Sequence, residues 1–230
     1  ALPNYITGIG WPAKKFNKYW PADIHLLGKD NNWFHSVIWP AILLAAGIEP
    51  PKTVYVHGFI NLKGQKMSKS LGNVINPVYL AEKYGADAYR YFFTRELSPR
   101  EDSYFSEEGL VERYNSELAN ELGNLVSRTI TMIERFCNSK VPAGKVDTKL
   151  AKLTEKVYKT ASTHIENVDV NRAVEEIWKL VREVNKYIQS NKPWTLKDKK
   201  LDVVLFNCAN SIKDICALAW PYVPSSIEKI

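Results

Sequence analysis

Lys66 and Lys69 stand three apart in the run QKMSKSLGN (residues 65–73), with Ser68 and Ser70 beside them and Gly64 and Gly72 at the flanks. From Lys63 to Asn73 there are three lysines and no acidic residue. Mobile ammonium groups and hydroxyl donors suit a polyphosphate whose charge grows as a bond breaks. Glycine hinges let such a loop close for reaction and open for product release. A solvated surface hairpin fits the same composition, and taken alone the loop leaves the two readings equal.

Two kinds of element must position these lysines. Over residues 1–105, short β-like runs, turns and helices alternate. IHLLG (24–28) and TVYVHGFI (53–60) are β-branched or aromatic and bounded by Pro, Asp and Gly, which predicts strands. Between them, NWFHSVIWPAILLAAG predicts a buried helix with an internal proline, closed by Gly47 and then Pro50 and Pro51. Strand, helix and strand predict a βαβ unit and hence a parallel α/β sheet. Gly28 and Asp30 then lie just beyond a strand's carboxyl end, where open α/β sheets bind ligands. NPVYLAEKYG and DAYRYFFTREL add two short helices, the second with Asp87 at its N-cap.

From Ser106 the periodicity is helical throughout. Apolar positions recur at threes and fours through Leu110, Tyr114, Leu118, Leu122, Leu125, Thr129, Ile133 and Phe136. A loop with Pro142 and Gly144 follows, then helices over 149–167, 170–190 and 202–219. Four long amphipathic helices with short connections predict a bundle. On the first of them Asn124 and Arg128, four apart, share a face and offer a fork of donors to base edges.

The bulk properties bound the choices. With 230 residues, 45% hydrophobic and 24% charged, the chain can build one large or two modest globular domains. A net charge of +6 permits a polyanionic partner without requiring one. Cys137, Cys208 and Cys216 are odd in number and form no CxxC pair, which argues against a disulfide framework or a zinc knuckle and for buried free thiols in a reducing compartment. The longest apolar run, VIWPAILLAAG, is about half of a membrane span. The opening ALPNYITGIGWP carries no signal peptide and reads as a start inside a domain.

KMSKS, directly after a strand and followed by LGN, resembles the signature loop of the class I aminoacyl-tRNA synthetases. DIHLLGKDNNWFHSVIWPAILLAAG, VHGFINLKGQKMSKSLGNVINP, DAYRYFFTRE and NSELANELGNLVSRT are similar to segments of the methionyl-tRNA synthetase family. The likeness covers nearly the whole chain and is weakest over 140–230. It implies an α/β fold followed by an all-α one. Residues 1–57 would be the C-terminal half of a Rossmann-like catalytic domain, 58–105 the KMSKS loop and stem-contact region, and 106–230 an anticodon-binding helical bundle.

The resemblance also implies ligands and roles. The loop would stabilise attack of an amino-acid carboxylate on the α-phosphate of ATP, with Lys66 and Lys69 on the phosphates, Lys69 foremost. Met67, Ser68 and Ser70 would shape it around ATP, which brings Mg2+. Gly28 and Asp30 would also bind ATP, Asp30 accepting hydrogen bonds from the ribose; its other reading is a cap on the following helix. His35 would line the methionine pocket, although a lone His in an apolar helix is otherwise a satisfied core residue. ALPNY matches the family's DAL-x-NY, making Ala1, Leu2 and Tyr5 methionine contacts in the apolar, polarizable lining that a thioether needs. Asn31, where many bacterial members carry an apolar residue, belongs to the same expected pocket. Asn124 and Arg128 would read the anticodon of tRNA(Met), and Trp194 in SNKPWTLKD would stack on one of its bases. Lys186, Lys192, Lys197, Lys199 and Lys200 around Asp198 read as a solvated face with general phosphate attraction.

Class I synthetases also carry a HIGH-type signature, and none of His25, His35, His57 and His164 lies in one. The expectation is therefore a C-terminal portion of a cytoplasmic enzyme, with its N-terminal half as partner, inactive alone and holding no metal site of its own. Two competing readings remain: another class I synthetase of the Cys, Ile, Leu or Val type, and a non-catalytic tRNA-binding module. The coexistence of GKD with KMSKS stands against the second.

Overall fold

A computed structural model of the chain describes residues 1–62, 65, 66, 76–96 and 101–230, with backbone alone at 65 and 66. They divide between two compact units, Ala1–Lys66 with Leu97–Tyr104, and Met67–Glu96 with Phe105–Ile230. Within 58–105, residues up to 66 and 97–104 fall to the first unit and the rest to the second.

The first unit opens with one helical turn, α1 (Asn4–Thr7), and continues to strand β1 (His25–Gly28). A π-helical turn, Phe34–Ile38, leads directly into α2 (Trp39–Ala45). Pro40 has no N–H to give back to the preceding turn, and a widened turn next to it accommodates the ring. Gly47, at φ +68°, ends the helix where a left-handed residue is required. Strand β2 (Val54–His57) then runs parallel to β1, His25 opposite Val54 and Gly28 opposite His57, so the βαβ expectation holds.

Two expectations need correction here. The run 53–60 is not one strand, because the chain at Glu101 packs against Gly58. A Cβ there would sit 2.1 Å from the Glu101 carbonyl oxygen. Beyond the break, β3 (Ile60–Leu62) pairs antiparallel with β4 (Gln65–Lys66), and β5 (Ser103–Phe105) takes the other edge of β3. The helix between β1 and β2 is also not buried all round. His35, Trp39 and Leu43, four apart, are buried, whereas Trp33, Phe34, Val37 and Leu44 are exposed. The core of this unit is Ile6, Phe16, Trp20, Trp39, Leu43 and Ile48.

In the second unit, α3 (Pro77–Tyr84) starts at Asn76, whose Oδ1 accepts from the Val78 amide at 2.9 Å. Gly85 turns the chain at φ +88° into α4 (Ala86–Glu96). Asp87 is not the N-cap expected of it. It lies within the first turn, buried, and its Oδ2 accepts the Ser226 amide at 2.5 Å. Ser106 caps α5 (Glu107–Arg113) through the Gly109 amide at 3.0 Å. A ten-residue π-helix, Tyr114–Gly123, joins α5 to α6 (Asn124–Cys137) without a break. Then come α7 (Thr148–Glu166), α8 (Val170–Asn191), α9 (Asp198–Ala219) and the short α10 (Pro224–Ile227).

The π-helix shifts the buried stripe. With i→i+5 bonding it spends more residues per turn than the α-helical spacing assumed. Glu117 therefore turns inward, while Tyr114 and Phe136 lie exposed. Leu125 and Ile133 of α6 pack with Trp178 and Val181 of α8 and Leu205 and Ile215 of α9. Each such side chain, fully buried, contributes about 1.5–3 kcal/mol. The cysteines are free thiols; Cys208 is buried and its thiol is pushed up to about 12 by that burial. Among the described residues no helix is long and apolar enough to cross a membrane.

Candidate functional site

In the first unit, α1, β1, the π-turn, the start of α2 and the loop before β1 bring five rings together: Tyr5, His25, His35, Trp39 and Trp20. The Tyr5 hydroxyl lies 3.0 Å from His35 Nε2, and His35 Nδ1 lies 2.9 Å from the Asn31 carbonyl. A carbonyl can only accept, so Nδ1 carries the proton; in the neutral ring Nε2 then accepts from Tyr5. Tyr5 and His25 rings approach to 4.8 Å, His25 and His35 to 6.1 Å, and Trp20 and Trp39 to 6.4 Å. Trp20 donates through Nε1 to the Glu49 carbonyl at 2.7 Å. Burial, and then the neighbouring His35, pull the His25 pKa down, so its ring is uncharged at neutral pH.

Two polar atoms of this cage, His25 Nδ1 and Trp39 Nε1, are buried with no partner among the described residues. Each such atom costs about 1–3 kcal/mol, and native structures keep such groups chiefly where water or a ligand completes them. The cluster as a whole is apolar and polarizable with few polar handles, a composition that suits contact with an uncharged, flexible side chain.

Of the residues expected around methionine, Tyr5 and His35 are in direct contact, and Leu2 packs against the unit's core. Ala1 is exposed. Asn31 serves the cage through its carbonyl; its own side chain is exposed and reaches Asp30 Oδ1 only at 3.5 Å. Trp20, His25 and Trp39 were not anticipated. Trp39 was findable, since it follows His35 by four on the same helical face. His25 was findable from the alternation of β1, which buries His25 and Leu27 and exposes Leu26.

Gly28 closes β1 and Asp30 lies in the turn just after it. Neither the 3-10 turn Lys29–Asn31 nor the helical turn Phe34–Ile38 that follows is capped by a side chain, so the capping alternative for Asp30 does not hold, and its carboxylate is exposed. Gly28 has an ordinary extended backbone, but a Cβ there would come within 2.9 Å of Asp30 Oδ1. An added methyl group would oblige the exposed Asp30 carboxylate to turn aside. Met67, Ser68, Lys69, Ser70 and the side chain of Lys66 lie outside the described residues.

On the second unit, Arg128 of α6 places its guanidinium carbon 6.0 Å from the ring centre of Trp194, which sits in a 3-10 turn, Pro193–Thr195, after α8. Such a stack orients a planar donor set against an aromatic face. Trp194 is 49% exposed, leaving a stacking surface open. Asn124 is exposed one helical turn before Arg128. Of the lysines nearby, Lys186 is paired with Glu183 at 2.5 Å.

A parallel β1–β2 pair with an acidic turn at its carboxyl end, a lysine-rich segment after β3 and a helical bundle define a class. A family model described as "tRNA synthetases class I (M)" matches residues 1–130, and the chain belongs to that family. Its relatives include the methionine–tRNA ligase of Caldanaerobacter subterraneus subsp. tengcongensis, 44% identical over all of this chain and 38% of that protein. That of Thermotoga maritima is 40% identical, with the same shares covered. A crystal structure of Mycobacterium tuberculosis methionyl-tRNA synthetase bound by methionyl-adenylate superposes with a TM-score of 0.93 at 36% identity, over 99% of this chain and 48% of that one.

The chain thus spans 38% of the length of these curated relatives. The family match occupies the amino-terminal 130 residues and crosses the expected boundary at 105 into the π-helix and α6. The expectation of a carboxyl-terminal portion is corrected accordingly: membership of the family stands, and that placement does not.

Proposed function

We propose that this chain is a stretch of a methionine–tRNA ligase, acting in the activation of methionine by ATP and its transfer to tRNA(Met). The observation that carries the reading is the Tyr5–His35 pair inside the aromatic cage, three residues from the GKD turn at its nearest point, on a fold 36% identical to a protein solved with methionyl-adenylate. In this reading the cage, with Ala1, Leu2 and Asn31 at its rim, takes the methionine side chain. Trp39 Nε1 or His25 Nδ1 supplies the handle that is otherwise unsatisfied. Asp30 accepts from the ribose, Gly28 admits the nucleotide, and Lys66 and Lys69, helped by Met67, Ser68 and Ser70, hold the phosphates of MgATP.

Adenylate formation then needs the methionine carboxylate to attack the α-phosphorus while pyrophosphate departs. Both the entering and leaving oxygens are anionic, so preorganised cations lower the barrier more than the ground state. The β1–β2 pair is read as part of a larger Rossmann-type sheet. The exposure of Leu26, Trp33 and Phe34 supports this, since large apolar side chains left open are what further strands or helices would cover. The free thiols fit a cytoplasmic location.

Methionine-dependent ATP–pyrophosphate exchange by the intact enzyme, against cysteine, isoleucine, leucine and valine, tests the reading. Exchange with methionine alone is the expected result, and exchange driven by another of these amino acids would overturn it. Residues 1–230 by themselves are expected to show exchange at least about a hundredfold slower, because a divided site forfeits the positioning on which its rate depends.

At the other end, Asn124, Arg128 and Trp194 are proposed to read the anticodon. Trp194→Ala is expected to weaken tRNA(Met) binding by about 1–3 kcal/mol, the worth of one base stacked on an aromatic ring, while leaving methionine-dependent exchange unchanged. Filter binding and exchange on the same preparation check both halves of that statement.

A further inference from the structure

Asp102, just before β5, joins two other segments of the first unit through one carboxylate. Its Oδ1 accepts from Lys29 Nζ at 2.5 Å and from the Phe59 amide at 2.8 Å, and the Asn61 side chain also bonds to it. The Lys29 ammonium lies 4.7 Å from the centre of the Phe59 ring. Next along the chain the Ser103 amide donates to the Phe59 carbonyl at 2.8 Å, and Gly58 leaves no room for a side chain against Glu101. Lys29 belongs to the GKD turn. Phe59 precedes and Asn61 lies within the strand β3 that leads to β4 and the lysine segment. Two cationic neighbours of the expected ATP site are therefore treated differently: Lys29 is already paired, and the lysines after β3 are reached through the strand that Asp102 holds.

We infer that Asp102 is a positioning residue, fixing the base of the lysine-bearing hairpin against the GKD turn through Lys29 and the Phe59 amide. The inference rests on the ligase reading above. Lys29 and Asp102 are 45% and 32% exposed in their side chains, and ion pairs that open contribute little to stability. Their effect is on placement, and a displacement of about 1 Å in reacting groups costs on the order of a hundredfold in rate. The neighbouring Lys29 and the Phe59 amide hold the Asp102 carboxyl below its ordinary range, so it stays ionised at neutral pH.

The test uses the intact enzyme with Asp102→Asn, Asp102→Ala and Lys29→Met. Asn keeps an acceptor for the Phe59 amide and loses the charge; Ala loses both. In methionine-dependent exchange, kcat is expected to fall about tenfold for Asn and about a hundredfold for Ala, with the methionine KM and the thermal midpoint little changed. The Lys29→Met, Asp102→Asn double variant should lose no more than the larger single loss, because both act through one contact. Phe59 amide exchange should speed up in Asp102→Ala alone. Unchanged kcat in the Asp102 variants overturns the inference, as does a Lys29→Met loss that multiplies with that of Asp102→Asn, which would make Lys29 a direct substrate contact. If Asp102→Ala does not fold, the Asn variant and the double variant decide. Should the parent enzyme show no methionine-dependent exchange, the ligase reading fails instead.

Discussion

Glu117→Ala is expected to destabilise the second unit by about 3–5 kcal/mol, the cost of removing one partner from a buried ionic group. Glu117 is 6% exposed, turned inward by the π-helix. Its carboxylate accepts from the Tyr91 hydroxyl, from Arg113 Nη1 at 2.8 Å and from Arg95 Nε at 3.3 Å. Its carbonyl takes the Trp178 indole N–H at 3.4 Å. Deletion would leave a fully buried tyrosine hydroxyl without its acceptor and two guanidinium groups short of an anion. Arg95 keeps Glu175 and Arg113 keeps Glu96, which sets the loss toward the lower end of that range.

The pH dependence follows from the same contacts. Burial raises the Glu117 pKa, but Tyr91, Arg95 and Arg113 together outweigh it and hold the carboxyl below its ordinary range. A depressed carboxyl pKa contributes stability that is present above the unfolded value, about 4.3, and is lost as the pH falls through the folded value. Urea unfolding should therefore show parent and Glu117→Gln far apart at pH 7 and converging in acid below about pH 4. Equal midpoints at pH 7 would show that the cluster is not a stabilising one. Replacing Arg95, Glu117 and Arg113 together by apolar residues should recover part of the loss, because Glu117 and both guanidinium groups leave together and Glu175 keeps Arg182, while Glu96 loses Arg113 and the Tyr91 hydroxyl its acceptor.

Lys69→Ala in the intact enzyme is expected to lower kcat for methionine-dependent exchange by about 10²–10³, or about 2.7–4 kcal/mol, the usual worth of one preorganised group aimed at developing charge. The methionine KM should hold, since the lysine is proposed to meet phosphate and not the amino acid. Lys69→Arg should recover only part of the rate: the charge remains, but a planar fork replaces a compact ammonium. A methionine KM that rises while kcat stays level would remove Lys69 from the phosphate role.

Much of the frame was legible. The β1–β2 pairing followed from two β-branched runs around a helix, and the long helices from their period. The Asn76 and Ser106 caps are the residue types that favour that position. Three features were hidden for separate reasons. Gly58 looks like any strand residue until the chain around Glu101, more than forty positions on, occupies its Cβ space. Asp87 has the composition of a cap, but tertiary structure gave it the Ser226 amide. Glu117 reads as a surface acid in an α-helical count and becomes buried only when the turn widens. In the cage, Tyr5 and His35 were reached through the family motifs, whereas Trp20 joins them from a loop whose position no periodicity encodes.

The ten-residue wide turn has one more consequence. In an ordinary helix each residue advances the direction of its side chain by about 100°, and Tyr114–Gly123 departs from that count before Asn124 and Arg128 are reached. The turn works as a phase adjuster, deciding which compass bearing the next helix presents. Chain length within it is therefore angular information: one residue more or fewer would swing Arg128 away from Trp194 even with every side chain of α6 unchanged.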